Sequence, residues 1–127
     1  MIAQIRIGQG LDVHAFEEGD FVTLAGIQIP HTQGLKAHSD GDVVLHALCD
    51  ALLGALALGD IGQHFPDTDP EFKGADSRVL LKDVYQLILD RGYHLNNADI
   101  PWACNRPNLA KPNLAMLQGI PDALVVV

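Results

Sequence analysis

Two side chains near the start of the chain and one in its middle are of the types that bind metal ions. Asp12 and His14 are two residues apart, so on an extended strand both point to the same face. His46 lies on the polar side of a predicted helix and can supply a third ligand. Three nitrogen and oxygen ligands leave a fourth position open, as in catalytic zinc sites. The pattern therefore indicates a zinc site; the open alternative is that Asp12 caps a turn and both histidines are ordinary surface residues.

His38 and Ser39 immediately precede the same predicted helix. A helix N-terminus with a serine hydroxyl can hold a phosphate oxygen, and His38 can donate a further hydrogen bond. Helix capping by Ser39 or Asp40 is the simpler explanation. Asp50, one turn beyond His46, either orients the imidazole of His46 or is a surface charge, and the sequence does not separate these two roles.

Residues 59–69 predict an acidic loop that contains two glycines and a proline. Asp67-Thr68-Asp69 resembles part of a calcium loop, but the other acids and the glycine of an EF-hand are absent at the required spacing. Asp60 and Asp67 can instead hydrogen-bond the hydroxyls of a polyol. A solvated acidic loop is the alternative.

Charge and composition narrow the class of protein. The 127 residues predict one domain, and 16 acidic against 8 basic residues give a net charge of −8, which argues against nucleic acid as a partner. A phosphorylated ligand would need positive potential from a metal ion or from backbone amides. We find no apolar run of membrane-spanning length and no targeting peptide, so we expect a soluble, cytoplasmic protein of bacterial type. Cys49 and Cys104 have no metal-binding spacing, and we expect ordinary thiols.

The elements that must position these residues are short. Ile5 and Ile7 predict a strand that runs into a bend at Gly8 and Gly10, and residues 21–24 and 27–29 predict a hairpin. A helix is expected after Ser39–Asp42, with a polar stripe of Asp42, His46 and Asp50. Its core-facing positions are predicted to be Val43, Val44, Ala47, Leu48, Ala51, Leu52 and Ala55.

A second helix is predicted over 77–91, and Gly92 follows its end. Its predicted buried side consists of Val79, Leu80, Val84, Leu87 and Ile88. Further along the chain, 98–104 is a candidate strand, 114–118 a short helix and 124–127 a final strand.

Five segments of the chain, in order and in register, closely resemble the 2-C-methyl-D-erythritol 2,4-cyclodiphosphate synthase family. They are Gly10-Leu11-Asp12-Val13-His14-Ala15-Phe16, Ala37-His38-Ser39-Asp40-Gly41-Asp42, Leu58-Gly59-Asp60-Ile61-Gly62, Phe65-Pro66-Asp67-Thr68-Asp69 and Gly74-Ala75-Asp76-Ser77-Arg78. The match extends through about residue 100. It implies an α+β fold with a small mixed sheet and helices on one face, assembled as a homotrimer with active sites at subunit interfaces.

The reaction that the resemblance implies is the conversion of 4-diphosphocytidyl-2-C-methyl-D-erythritol 2-phosphate into the 2,4-cyclodiphosphate with release of CMP. This is a step of non-mevalonate isoprenoid biosynthesis. The implied cofactors are one zinc per subunit and magnesium or manganese with the substrate diphosphate. The implied partner is the small cytidine diphosphate substrate.

The resemblance also assigns residues. It implies zinc ligands at Asp12, His14 and His46 and a catalytic, transition-state-stabilising role for His38. The implied substrate contacts are Asp12, Val13, His14, His38, Ser39, Asp60, Ile61, Gly62, Phe65, Pro66, Asp67, Thr68 and Asp69, with a cytidine loop of Cys104, Asn105, Arg106, Pro107, Asn108, Leu109 and Ala110.

Near the C-terminus the resemblance fails. The family carries a further segment that contacts the diphosphate, and we expect the single domain of residues 1–127 to lack part of this region. The alternative function is therefore a catalytically impaired, metal-binding and trimer-forming homologue. An unrelated metal-dependent phosphohydrolase is a third reading.

Overall fold

The computed structural model describes residues 4–100, which form an α+β arrangement of short strands and three α-helices. The elements are β1 (Phe16–Glu17), β2 (Phe21–Leu24), β3 (Ile27–Pro30), β4 (Gly34–Leu35), α1 (Val43–Ala55), α2 (Ile61–His64), a 3-10 turn (Pro70–Phe72) and α3 (Ser77–Asp90). The predicted single mixed sheet is not found in these residues, whose strands form two antiparallel pairs, β1 with β4 and β2 with β3.

The predicted hairpin is confirmed. β2 and β3 pair antiparallel, with Leu24 opposite Ile27, across a turn formed by Ala25 and Gly26. Both turn residues have positive φ, 52° and 80°, as the tightest hairpin turns require. Their backbone N–H groups donate to the buried carboxylate of Asp42, at 3.0 and 2.6 Å. Asp42 also caps α1 by accepting from Leu45, so it joins the hairpin to the helix rather than lining the site.

α1 and α3 pack against each other and form the larger apolar core. Its buried members are Leu45, Leu48, Cys49, Leu52, Leu53, Leu81, Val84, Tyr85 and Ile88. Both helices are confirmed within one or two residues of their predicted bounds, but the predicted buried faces were partly wrong. Val79 is 54% exposed, and Leu45, Leu53 and Leu81 are fully buried instead. An amphipathic pattern predicts that a segment is helical more accurately than it predicts which side chains on the helix are buried.

The N-terminal segment, residues 4–14, lies against α1 but is not the strand that the sequence predicts. Residues 4–15 form neither helix nor strand. A Cβ at Gly8 would lie 1.8 Å from the Ala51 carbonyl oxygen, and one at Gly10 would lie 1.8 Å from that of Ala47. The two glycines therefore allow close approach to the helix and do not form the predicted bend.

The outward face of the N-terminal segment is apolar. Ile5, Ile7, Leu11 and Val13 are between 77% and 89% exposed. The intervening residues face the protein: Arg6 donates to the Tyr93 hydroxyl. The segment thus keeps the period of two that its sequence shows, without strand hydrogen bonds.

The acidic loop of residues 59–69 contains the one-turn helix α2, which the sequence analysis missed. Asp60 caps it by accepting from the Gln63 N–H at 2.9 Å. Residues 98–100 of the candidate strand have no regular structure, and its remainder, the predicted helix 114–118 and the predicted strand 124–127 lie outside the described residues. Among the helices in residues 4–100, none has the length and apolar character to span a bilayer.

Candidate metal centre and adjoining pocket

Asp12, His14 and His46 converge as the sequence predicts. Asp12 Oδ2 lies 2.8 Å from His14 Nε2 and 3.1 Å from His46 Nδ1. The two ring nitrogens are 3.4 Å apart. One ligand atom of each residue therefore lies within 4.8 Å of the others. The three side chains come from two parts of the chain that are more than 30 residues apart.

The separations suit a small cation bound by one carboxylate and two imidazoles. Zinc–nitrogen and zinc–oxygen bonds of about 2.0–2.2 Å place neighbouring ligand atoms about 3.3–3.6 Å apart in a tetrahedron. The observed 3.4 Å lies within that spacing, and the observed 3.1 and 2.8 Å lie below it by up to about half an ångström, a difference that a bound cation would take up. The donor set is that of zinc rather than of magnesium, which prefers oxygen ligands. The residues therefore fit a zinc ion with one open coordination position.

The electrostatics of the triad favour a charged carboxylate. Partial burial acts to raise the pKa of Asp12, but the neighbouring rings of His14 and His46 outweigh it and hold that pKa well below its usual range. The pKa of His14 is raised, chiefly by its hydrogen bond to Asp12. Asp12 is therefore an anion at neutral pH, as a metal ligand must be.

Two different parts of the fold place the three ligands. β1 pairs with β4, with Phe16 opposite Leu35, and the Lys36 N–H extends the ladder to the Ala15 carbonyl at 2.8 Å. This pairing brings the stretch around His14 beside the stretch that leads to His38. His46 lies on the first turns of α1 and is only 6% exposed.

His46 is also contacted on the side away from the triad. Its Nε2 lies 2.7 Å from Ser77 Oγ and 3.1 Å from Ser39 Oγ. The suggested role of Asp50 in orienting this ring is wrong, because Asp50 Oδ1 accepts from the Ile61 N–H at 2.8 Å and so holds the start of α2.

A pocket of about 660 Å³ adjoins the triad. It has both polar and apolar walls, formed by Asp12, His14, Lys36, Ala37, His38, Ser39, His46, Ile61, Gly62, Phe65, Asp67, Phe72 and Leu80. His38 Nε2 lies 3.2 Å from the Asp69 carbonyl oxygen, so the His38 ring is tied to the acidic loop across the pocket. Lys36 contributes a positive charge to an otherwise acidic protein.

Most of the described residues that the sequence assigns to ligand binding line this pocket. Asp12, His14, His38, Ser39, Ile61, Gly62, Phe65 and Asp67 do so. Val13, Asp60, Pro66, Thr68 and Asp69 are not among the lining residues, and residues 104–110 lie outside the described part of the chain.

Sequence reasoning missed Lys36 and Ser77. Lys36 lies two residues before His38, and the need of an acidic chain for local positive charge was the signal that pointed to it. Ser77 offered no local signal, because its contact with His46 spans 31 residues.

An α+β domain with an open three-ligand centre beside a polar pocket is characteristic of a metal-dependent enzyme. The YgbB family model matches residues 5–126. A 2-C-methyl-D-erythritol 2,4-cyclodiphosphate synthase of Acinetobacter baumannii is 86% identical over 126 residues, which are 99% of this chain and 79% of that protein. The chain belongs to the YgbB family.

Solved structures agree. One described as a 2C-methyl-D-erythritol-2,4-cyclodiphosphate synthase is 54% identical, with a TM-score of 0.64 over 68% of this chain and 58% of that one. An IspF of Plasmodium falciparum in complex with CDP is 29% identical, with a TM-score of 0.64 over 96% of this chain and 74% of that one.

Proposed function

We propose that the protein converts 4-diphosphocytidyl-2-C-methyl-D-erythritol 2-phosphate into 2-C-methyl-D-erythritol 2,4-cyclodiphosphate and releases CMP. The observation that carries the proposal is the convergence of Asp12, His14 and His46 at the edge of the pocket. The relative that is 86% identical bears the name of this synthase, which supports the same assignment.

The proposed reaction is an intramolecular phosphoryl transfer. An oxygen of the 2-phosphate attacks the β-phosphorus, and the bond from that phosphorus to the CMP oxygen breaks. Nucleophile and electrophile belong to one molecule, so the protein mainly has to fold the substrate into a reactive geometry. The pocket volume of about 660 Å³ lies within the range of pockets that bind small molecules.

Asp12, His14 and His46 would hold a zinc ion, and a magnesium or manganese ion would accompany the substrate diphosphate. When bound, these cations supply Lewis acidity to the phosphate oxygens. The fit of the triad to the spacing of zinc ligands supports the first assignment. An acidic chain with few cationic side chains at the pocket needs such ions to hold a polyanion.

The remaining polar residues of the pocket bind and orient the substrate. Lys36 and Ser39 would contact phosphate oxygens beside the triad, and their position in the pocket wall supports this role. His38 would stabilise the charge that develops on the transferred phosphoryl group. We assign the methylerythritol portion to the acidic-loop residues Asp60, Ile61, Gly62, Phe65, Pro66, Asp67, Thr68 and Asp69 and the cytidine to residues 104–110.

We further propose a homotrimer with active sites between subunits. The row of exposed apolar side chains on the N-terminal segment supports an assembly, because contiguous apolar surface is typical of interaction sites. Sedimentation equilibrium at several concentrations tests this, with a mass three times that of the chain as the expected result. A stable monomer would contradict it.

The decisive experiment incubates the zinc-loaded protein with the cytidine diphosphate substrate and magnesium and follows the conversion of the substrate by ³¹P NMR. We expect equimolar CMP and a cyclic diphosphate. Release of inorganic phosphate would favour the phosphohydrolase, and a zinc-loaded protein that forms no CMP would favour the impaired homologue. His38→Ala is the matched variant: it should lose turnover and keep its zinc.

A further inference from the structure

The imidazole of His46 is the middle of a chain of hydrogen bonds that starts at the part-buried Asp40 and passes through the buried Ser77. Ser77 Oγ lies 2.7 Å from His46 Nε2 and donates its own proton to Asp40 Oδ1 at 2.5 Å. The Ser77 backbone N–H donates to Asp40 Oδ2 at 3.0 Å. Ser77 is fully buried at the start of α3, so water does not compete for its hydroxyl.

The direction of these bonds follows from the chemistry of the carboxylate. An ionised carboxylate accepts hydrogen bonds and donates none. Asp40 accepts from the Ser77 hydroxyl, from the Ser77 N–H and from the Asp42 N–H at 3.1 Å. The hydroxyl of Ser77 therefore points its proton at Asp40 and its lone pairs at His46. Only a protonated Nε2 matches those lone pairs.

The consequence falls on the other nitrogen of the ring. A neutral imidazole that carries its proton on Nε2 has a lone pair on Nδ1. Nδ1 of His46 is the atom that faces Asp12 and His14, at 3.1 and 3.4 Å. We propose that Asp40 and Ser77 are positioning residues for the metal centre: they fix the tautomer and the orientation of His46 so that Nδ1 is presented to the cation. This inference rests on the proposed metal-dependent function.

Ser39 provides the contrast. Its Oγ also lies near His46 Nε2, at 3.1 Å, and it accepts from the Gly41 N–H at 3.3 Å. Unlike Ser77, Ser39 lines the pocket, and within residues 4–100 its hydroxyl contacts His46 and the Gly41 N–H but no carboxylate that would set the direction of its proton. With Nε2 protonated, the Ser39 hydroxyl can donate into the pocket. Ser39 is therefore free to bind a ligand in the pocket, whereas Ser77 orients the His46 ring.

The test compares Ser77→Ala with Ser39→Ala in the full chain, by zinc competition against a chromophoric chelator. Loss of a partner that orients a metal-ligating histidine typically weakens metal binding by about 10–100-fold. We expect that loss for Ser77→Ala, with a change in the visible spectrum of the cobalt-substituted protein, and less than about threefold for Ser39→Ala. Wild-type zinc affinity in Ser77→Ala, or equal losses in both variants, would overturn the proposal.

Asp40→Asn tests the direction of the hydrogen bonds. The amide nitrogen can donate to Ser77 Oγ, which then donates to His46 Nε2 and drives the proton to Nδ1, the wrong nitrogen for the metal. We expect a zinc affinity as low as that of Ser77→Ala, and no further loss when the two substitutions are combined, because both act through one ring. Additive losses would contradict a single chain of hydrogen bonds.

Wild-type protein supplies a measurement that no misfolded variant can affect. Long-range ¹H–¹⁵N spectra of the zinc-loaded protein should show His46 bound to zinc through Nδ1, with a slowly exchanging proton on Nε2. Ligation through Nε2 would refute the proposal. If no CMP is released while zinc binding depends on Ser77, the proposed function is wrong and this inference stands. If CMP is released and Ser77→Ala binds zinc as the wild type does, the proposed function stands and this inference is wrong.

Discussion

The three candidate ligands are held by two very different supports. His46 lies on α1, a helix buried against α3 and capped by a carboxylate that also holds the hairpin. Asp12 and His14 lie at the end of the N-terminal segment, which has no regular structure and exposes four large apolar side chains. One support is part of the core, whereas the other rests on its surface. The metal centre therefore forms only when the segment docks, so metal binding and folding can be lost separately.

The largest effect is expected on the helix side. Leu81 is fully buried between α3 and α1, and replacing a buried leucine by alanine typically costs about 2–5 kcal/mol. Leu81→Ala should lower the free energy of unfolding by that amount, measured by urea denaturation of the metal-free protein. Val79→Ala, on the same helix but 54% exposed, is the matched control and should change it by less than about 1 kcal/mol. Equal effects would place the core elsewhere.

On the segment side, a substitution should remove the metal and leave the fold intact. Asp12→Ala removes one ligand atom. A structural zinc site binds its ion with about 10–16 kcal/mol, so the loss of one of four equal ligands weakens zinc binding by about 2.5–4 kcal/mol. We expect stoichiometric zinc to be lost on dialysis, as read by elemental analysis, with the far-ultraviolet dichroism of the fold unchanged. His46→Ala should also lose zinc. Retention of one zinc per chain by both variants would refute the ligand assignment.

The same contrast explains what the sequence could and could not predict. Both long helices follow from apolar periodicity and capping residues, and Asp12 with His14 follows from a spacing of two. These signals are local. Ser77 and Asp40, which contact each other, are 37 residues apart, and the local sequence around neither residue predicts the contact. Gly8 and Gly10 predict a bend from the sequence, but glycine serves both tight bends and close approaches, and only the packing on α1 distinguishes the two.

Docking of the segment on the helix can be tested through its glycines. A Cβ at position 8 would lie 1.8 Å from the Ala51 carbonyl oxygen, so Gly8→Ala must move the segment away from α1. Overpacking of this kind costs about 1–3 kcal/mol, and it should appear as weaker zinc binding because Asp12 and His14 move with the segment. Gly54→Ala, where φ is not positive and a Cβ would meet only the Gln9 carbonyl oxygen at an ordinary 3.8 Å, controls for the loss of a glycine elsewhere. Unchanged zinc affinity in Gly8→Ala would mean that the ligands do not depend on this contact.

The smallest effect is expected at Cys49, which reports on the helix side alone. Burial, followed by the nearby carboxylates of Asp50 and Asp42, raises the pKa of Cys49 to about 12. A thiol with that pKa is only about one part in ten thousand thiolate at pH 8, and the thiolate is the reactive form. In a Cys104→Ser background, Cys49 should therefore react with a disulfide reagent only when α1 and α3 separate. Leu81→Ala should accelerate the reaction and Gly8→Ala should leave it unchanged, because displacement of the segment does not open the core. Acceleration by Gly8→Ala to the same extent would show that the two supports unfold as one unit, and the separation argued above would then be wrong.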